Sequence, residues 1–278
     1  MGSLTNFAET EIMDHIFNGA DGAGSVYTPP ATVYLSLHTA DPTDTGSMAA
    51  ECTGTAYIRK AIAFSAAGTR AIVQNGVVTF TQAGGAWGTI SHWGICDQES
   101  AGGNMLAYGT FAVSKSIVTG NTASVATTEV VITATADVGL STYCAHKILD
   151  FLFRNQAFTP PATYIGLVTA NPVDASTGAT LTEPSTNNYA RKLVDHVAGS
   201  SPTWTAAGAT TGLVDNVHTI TFATPSGSWG LITGMVVIDS ITVGAGNVLF
   251  YEVDVTDQTP DNGDTVQIAA GAFDVTMD

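Results

Sequence analysis

The residues able to begin a reaction crowd into one short stretch. Ser91 and His92 stand side by side with Asp97 close behind, the hydroxyl, imidazole and carboxylate of a nucleophilic hydrolase. Such a triad needs its three groups in one hydrogen-bonded line, whereas residues packed along one strand point to alternating faces. No catalysis is expected there. Two acidic loops offer a second chemistry. Asp41, Asp44 and Glu51, or Asp254, Asp257, Asp261 and Asp264, supply oxygens of the kind that calcium takes. Calcium wants roughly six to eight oxygens converging from a constrained loop, and neither set follows an EF-hand or RTX order. Solvated acidic loops are the expectation, with no metal. No glycine-rich phosphate loop, HExxH or CxxC spacing occurs, so no cofactor is expected.

Two further groups recur. Tyr57-Ile58-Arg59-Lys60 and Tyr189-Ala190-Arg191-Lys192 hold half of the eight basic residues. On a strand, Tyr and Arg two positions apart share a face. A Tyr–Arg pair bonded to a carboxylate such as Glu51 or Glu183 is the structural expectation; an intersubunit contact, for which Tyr and Arg are favoured anchors, is the functional one. Trp87-Gly88 and Trp229-Gly230 each open a strand, and a buried ring capping the β-unit is expected over a sugar platform.

These pairs belong to a larger pattern, because the chain is written twice. Ile12-Met13-Asp14-His15-Ile16-Phe17 returns as Ile148-Leu149-Asp150-Phe151-Leu152-Phe153. Tyr27-Thr28-Pro29-Pro30-Ala31-Thr32 returns as Phe158-Thr159-Pro160-Pro161-Ala162-Thr163, and Thr39-Ala40-Asp41-Pro42 as Thr169-Ala170-Asn171-Pro172. Gly103-Asn104-Met105-Leu106-Ala107-Tyr108 returns as Gly246-Asn247-Val248-Leu249-Phe250-Tyr251. The reading is two domains, 1–136 and 137–278, each of ordinary domain size. A feature in both copies is then scaffold, and one in a single copy must explain itself. His15 aligns with Phe151, His92 with Gly234, His146 with Thr10 and His196 with Phe64, so no histidine is shared. Trp93, aligned with Met235, and Trp204 are the unpaired rings that a carbohydrate site would use.

Each copy should open with an amphipathic helix. Leu4, Ala8, Ile12 and Ile16, and Leu140, Cys144, Ile148 and Leu152, fall at one-turn steps, with Thr5 and Ser141 as N-caps. Asn18-Gly19 and Asn155 stand where a left-handed C-cap is wanted. The prolines that follow cannot donate to a ladder, so they precede a strand, 33–37 or 164–168. Further strands are expected near 57–64, 76–80, 89–96, 104–113 and 127–133, and near 189–197, 217–222, 231–238, 247–255 and 267–276. Short strands spaced by Gly, Asn and Ser turns argue for a mainly β fold: two tandem antiparallel β-sandwich or barrel-like domains, each with one N-terminal α-helix across a face or plugging an end.

Composition excludes some partners. Eight basic residues stand against 24 acidic ones, a net charge of −16, and the basic ones are scattered. A surface that grips phosphates needs them clustered, so neither nucleic acid nor an anionic membrane is expected as partner. No long apolar run suggests a bilayer span, and no secretory signal opens the chain. Cys52, Cys96 and Cys144 are odd in number and align with Pro184, Ile238 and Ala8, which implies free thiols and folding in a reducing cytosol.

The helix motif, Tyr/Phe-Thr-Pro-Pro-Ala-Thr, Thr-Ala-Asp-Pro, Tyr-x-Arg-Lys and Ser/Ala-Trp-Gly together resemble a family of small tailed-phage proteins commonly labelled phage tail fibre-like, once per half. The chain departs from that pattern in its tandem fusion and in Asn171 at the place of the motif's Asp. The resemblance implies a virion component without enzymatic activity, assembled in the host cytoplasm. The position expected is the capsid exterior, as a decoration or cement protein, since a rigid acidic unit of two linked copies suits a collar around a capsomer. A tail component (tail fibre-like or tail tube) or a host-carbohydrate-binding adhesion module is the alternative. Expected partners are other virion proteins, major capsid or tail, and further copies of the chain in a homo-oligomer. The contacts would involve Tyr57, Arg59, Lys60, Tyr189, Arg191 and Lys192, with Trp87 and Trp229 as structural rings.

Overall fold

β-Branched and aromatic residues alternating with Thr and Ser favour pleated, half-buried strands, and Gly, Asn and Pro end them. The computed structural model, which describes residues 2–19, 27–136, 138–196 and 200–277, is accordingly mainly β. The first half runs β1 (Gly2–Leu4), α1 (Asn6–Phe17), β2 (Val33–His38), β3 (Lys60–Ile62), β4 (Ala71–Val73), β5 (Val78–Thr79), β6 (Gly88–Cys96), β7 (Met105–Ile117), β8 (Ser124–Val125) and β9 (Val131–Thr133). The second repeats it: β10 (Gly139–Leu140), α2 (Thr142–Arg154), β11 (Thr163–Val168), β12 (Lys192–Val194), β13 (Val214–Asp215), β14 (Ile220–Thr221), β15 (Ile232–Ile238), β16 (Val248–Gln258), β17 (Gln267–Ile268) and β18 (Asp274–Val275).

The sheets share one wiring. Strand order β3-β2-β6-β7-β1 in the first half is matched by β12-β11-β15-β16-β10 in the second. The small pairs β5-β8 and β14-β17 correspond as well. One difference separates the halves. Gly2 of β1 pairs in parallel with Ile132 of β9, which draws β9 and β4 into a seven-stranded sheet; their counterparts β18 and β13 stay a separate antiparallel pair. The sheets are otherwise antiparallel, as expected, apart from an isolated parallel bridge between Asp195 and Thr203.

Both helices are capped as the side chains dictate. Thr5 Oγ1 accepts the Ala8 amide and Ser141 Oγ the Cys144 amide. Each hydroxyl also donates to the strand beneath, Thr5 to the Met105 carbonyl and Ser141 to that of Val248, both at 2.5 Å. Gly19 takes the left-handed turn after α1, whereas Asn155 takes it after α2. Leu4 and Leu140, expected in the helix stripe, lie instead in β1 and β10, where they pair with Ala107 and Phe250. They are buried all the same, so the apolar spacing was real and the backbone state was not. Strands β4 and β13 were not foreseen at all. The pairing also slips the alignment by one: Val33, not Thr32, occupies the place of Thr163, since they oppose Ile62 and Val194.

One core runs through both halves. It takes Ile12, Met13, Ile16 and Phe17 from α1 and Ile148, Leu149 and Leu152 from α2, with Leu35, Trp93, Ile165 and Phe250 from the sheets. Each helix touches its own long strand, α1 on β7 and α2 on β16, and also the other half, α1 on β13 and α2 on β4. The helices therefore sit between the copies, not at an end of either. Among the described residues no helix is long and apolar enough to cross a membrane.

Candidate functional site

The polar residues repeated in both halves converge on two matching nodes. Lys60 and Lys192 start the edge strands β3 and β12, and Arg59 and Arg191 just precede them. The arginines turn inward. Arg59 grips Glu51 through Nε and Nη2, each at 2.7 Å, and Arg191 grips Glu183 at 3.0 and 2.6 Å. The second pair is the drier, its side chains 0% and 1% exposed against 1% and 11% in the first. Nη1 of Arg59 donates to three carbonyls of the β6–β7 loop, Gln98, Ser100 and Gly102, all at 3.0 Å. Nη1 of Arg191 donates to Ser240, Thr242 and Ala245 of the β15–β16 loop, all at 2.8 Å. The planar fork of arginine is what allows one side chain to hold a carboxylate and a loop together.

The tyrosines complete each node. Tyr57 and Tyr189 donate to Glu51 and Glu183 and accept the amides of Leu37 and Leu167. Burial and then the neighbouring carboxylate push both phenols well above their ordinary range, so neither can exchange a proton near neutrality. Edge-on to each lies a tryptophan: Trp87 is 5.3 Å from Tyr57, and Trp229 is 5.3 Å from Tyr189. Phe80 and Phe222 close the clusters. Each indole donates to a loop carbonyl, Trp87 to Thr55 and Trp229 to Asn187. A second lock closes the loop bases: Asp97 accepts both the amide and side chain of Asn104, and Asp239 those of Asn247. The Gly-Asn of this lock recurs in both copies, but no lock was expected there: Asp97 entered only as a triad candidate and Asp239 not at all.

That triad is not assembled. A bulge between Ile90 and His92 turns Ser91 so that its Oγ lies 2.8 Å from His92 Nδ1, contrary to the expected alternation. Asp97 is engaged by Asn104 and stands outside this pair. The thiols are held protonated: burial pushes Cys96 up to about 11 and Cys52 up to about 12, and raises Cys144 too. All three are free and buried.

The acidic loops do not converge. Glu51 is spent on Arg59, Asp41 accepts the Thr43 amide, Asp254 bonds Asn171, and Asp264 accepts the Asp261 amide. The side chain of Asp257 lies outside the described residues. Among those described, no three His, Cys, Asp or Glu side chains group around a point. The unpaired tryptophans are interior: Trp93 is 0% exposed and Trp204 4%. Trp204 also has a counterpart after all. It bridges Asn216 as Phe64 bridges Gln74, so the residues between Val194 and Trp204 are an insertion.

Two further features stand out in the first copy. Ser36, His38 and Cys96 form a buried polar cluster, with Ser36 Oγ 2.8 Å from His38 Nε2 and 3.4 Å from Cys96 Sγ. The second copy has Gly166, Val168 and Ile238 there, the last two in a small apolar core. Burial, opposed by Glu51, lowers His38 to about 4. The other feature is an apolar groove of about 740 Å³ between the outer end of β7 and β8, lined by Leu37, Ile90, Phe111, Val113 and Val125, with Lys115 and Glu129 its charged residues.

The chain compares with known proteins through its two halves. Residues 3–133 and again residues 139–276 match the model of a family described as podophage GP4 fiber I protein gp80. No curated protein matches it.

Proposed function

The chain belongs to the family described as podophage GP4 fiber I protein gp80, in two consecutive copies, and we propose from this premise that it is a non-enzymatic structural component of a podophage virion, carried by the tail as part of a fibre. The observation that carries the reading is the fate of the repeated polar residues. In both halves Tyr, Arg and Glu, the Asp–Asn lock and the indole N–H are consumed by internal bonds that fix loops. Groups engaged in this way hold shape and are not themselves poised for a reaction.

The family description supports the tail-side alternative over a decoration of the capsid exterior. An acidic surface suits either position, since it keeps the particle soluble and repels nucleic acid. Partners on this reading are neighbouring virion proteins and further copies of the chain, met through exposed apolar positions such as Val113, Val173 and Ile241. Electron microscopy of particles carrying an epitope on this protein tests the placement: label on tail fibres is expected, and label confined to the head overturns it. Particles carrying His92→Ala should assemble and infect as the parent does; a specific loss of infectivity with normal assembly would argue for chemistry at Ser91–His92.

A further inference from the structure

The two helices carry one carboxylate at the same place, Asp14 and Asp150, and each reaches into the opposite half. Asp14 Oδ1 accepts the Ala207 amide at 2.7 Å, and Asp150 Oδ1 accepts the Ala67 amide at 2.9 Å. Each is steadied by the side chain one turn on, Asn18 at 2.8 Å and Arg154 at 2.9 Å. Beside them Phe17 meets Trp204 at 4.8 Å and Phe153 meets Phe64 at 5.6 Å. Since Phe64 and Trp204 are counterparts, so are Ala67 and Ala207, each three positions later. The carboxylate–amide bond and the ring contact therefore each occur twice with the roles of the halves exchanged, while the Arg70–Asp174 ion pair joins the halves on one side.

On the axis between the helices, a residue meets its own counterpart. His15 aligns with Phe151, and their rings lie 4.4 Å apart. Tyr27 aligns with Phe158, and the cross pairs Tyr27–Phe151 and His15–Phe158 are 6.2 and 5.5 Å apart. Residue i touching j while the partner's i touches j, with i meeting i on the axis, defines an isologous twofold contact. The helices that flank it bury Ile12, Met13, Ile16, Phe17, Ile148, Leu149 and Leu152 completely, with His15 the polar residue among them. That composition is typical of an obligate dimer interface. The two carboxylates face backbone donors and not each other.

We propose that the face formed by each helix and the segment 64–73 or 204–215 is a self-complementary docking surface whose partner is another copy of the same module, so that this chain is a dimer joined by its linker. The first module carries the doubled contacts itself, because Asp14 and Phe17 would meet Ala67 and Phe64, with His15 facing His15 on the axis in place of Phe151. A second chain can therefore supply the partner module as well as the chain's own second half.

The test opens the full-length protein. A specific protease site is inserted between Ala136 and Val138, the purified chain is cut, and native mass spectrometry is run at low micromolar concentration. One complex holding one of each fragment is expected, and mixing with isotope-labelled cut protein should yield exchanged pairs, including first–first pairs. Separation into single fragments, folded or not, overturns the proposal. In the uncut chain, Asp14→Ala with Asp150→Ala should speed hydrogen exchange at the Ala67 and Ala207 amides at least tenfold, while amides of β6 and β15 stay protected. Unchanged protection at those two amides would also overturn it.

Discussion

Replacing Arg191 by Met isolates what a node contributes. The substitution leaves Glu183, 1% exposed, without its cation, and takes the shared donor from the carbonyls of Ser240, Thr242 and Ala245. Removing one partner of a buried ion pair costs about 3–5 kcal/mol, because the other charge stays buried and uncompensated. The loop carbonyls can turn towards water, so they add little. For a unit of this size each kcal/mol moves the midpoint about 2–4 °C, which gives a fall of roughly 6–20 °C. Arg59→Met should cost less, since Glu51 is 11% exposed and recovers part of its hydration. Arg191→Lys keeps the charge but lacks the fork, and should fall between parent and Met. Adding Glu183→Gln to Arg191→Met removes the stranded charge and should restore part of the loss. Thermal melts followed by near-ultraviolet circular dichroism, with urea titrations beside them, read all five proteins. A shift under about 2 °C for Arg191→Met, or no recovery in the double variant, would refute the reasoning.

Three further outcomes follow from the same geometry. His38 is faced by Glu51, Arg59 and His92, and its folded pKa lies at about 4, below the ordinary value of 6.5. The folded state thus favours the neutral ring, so its contribution is whole above pH 6.5 and drains away as pH falls towards 4, by roughly 3 kcal/mol for that 2.5-unit gap. Urea titrations at neutral and acid pH should show His38→Val, which copies Val168, less acid-sensitive than the parent. Gly109→Ala would set a Cβ 2.4 Å from Trp93 Cζ2 and 3.0 Å from the Gly2 Cα, at a cost of about 1–3 kcal/mol. Adding Trp93→Met, the residue that Met235 supplies in the other half, should relieve it in the same titrations. Trp204→Ala empties the contact with Phe17 and Phe273 and should cost about 3–5 kcal/mol by urea unfolding; a loss below about 1 would place the ring outside the core.

Duplication made much of this legible. Comparing two copies of one plan separates scaffold from ornament without any third sequence, and it exposed the Tyr-x-Arg-Lys segments and both Trp-Gly strand openings. Glu51 and Glu183 were readable as partners because a buried arginine must find a carboxylate. Other parts were invisible for physical reasons. Leu4 and Leu140 keep helical spacing to the stripe while belonging to strands, since burial fixes which side chain is apolar and not which backbone bonds it makes. Strands β4 and β13 are two or three residues long, too short for a period to show. Trp204 was assigned no counterpart because an insertion displaced it, and only the bridge to Asn216 restores the match. Asp14 and Asp150 stood in the repeat, yet nothing local says that a helical carboxylate will bind an amide 193 or 83 residues away.

The arginine nodes also bear on what the loops need from the medium. A charged group ringed by loop carbonyls and a carboxylate is the setting in which loops commonly trap calcium. Here the cation is bolted to the backbone. Dilution cannot wash it out and a chelator cannot strip it, so the loop carbonyls it holds do not depend on a free ion being present. The side chain thus does for these loops what a bound ion does elsewhere.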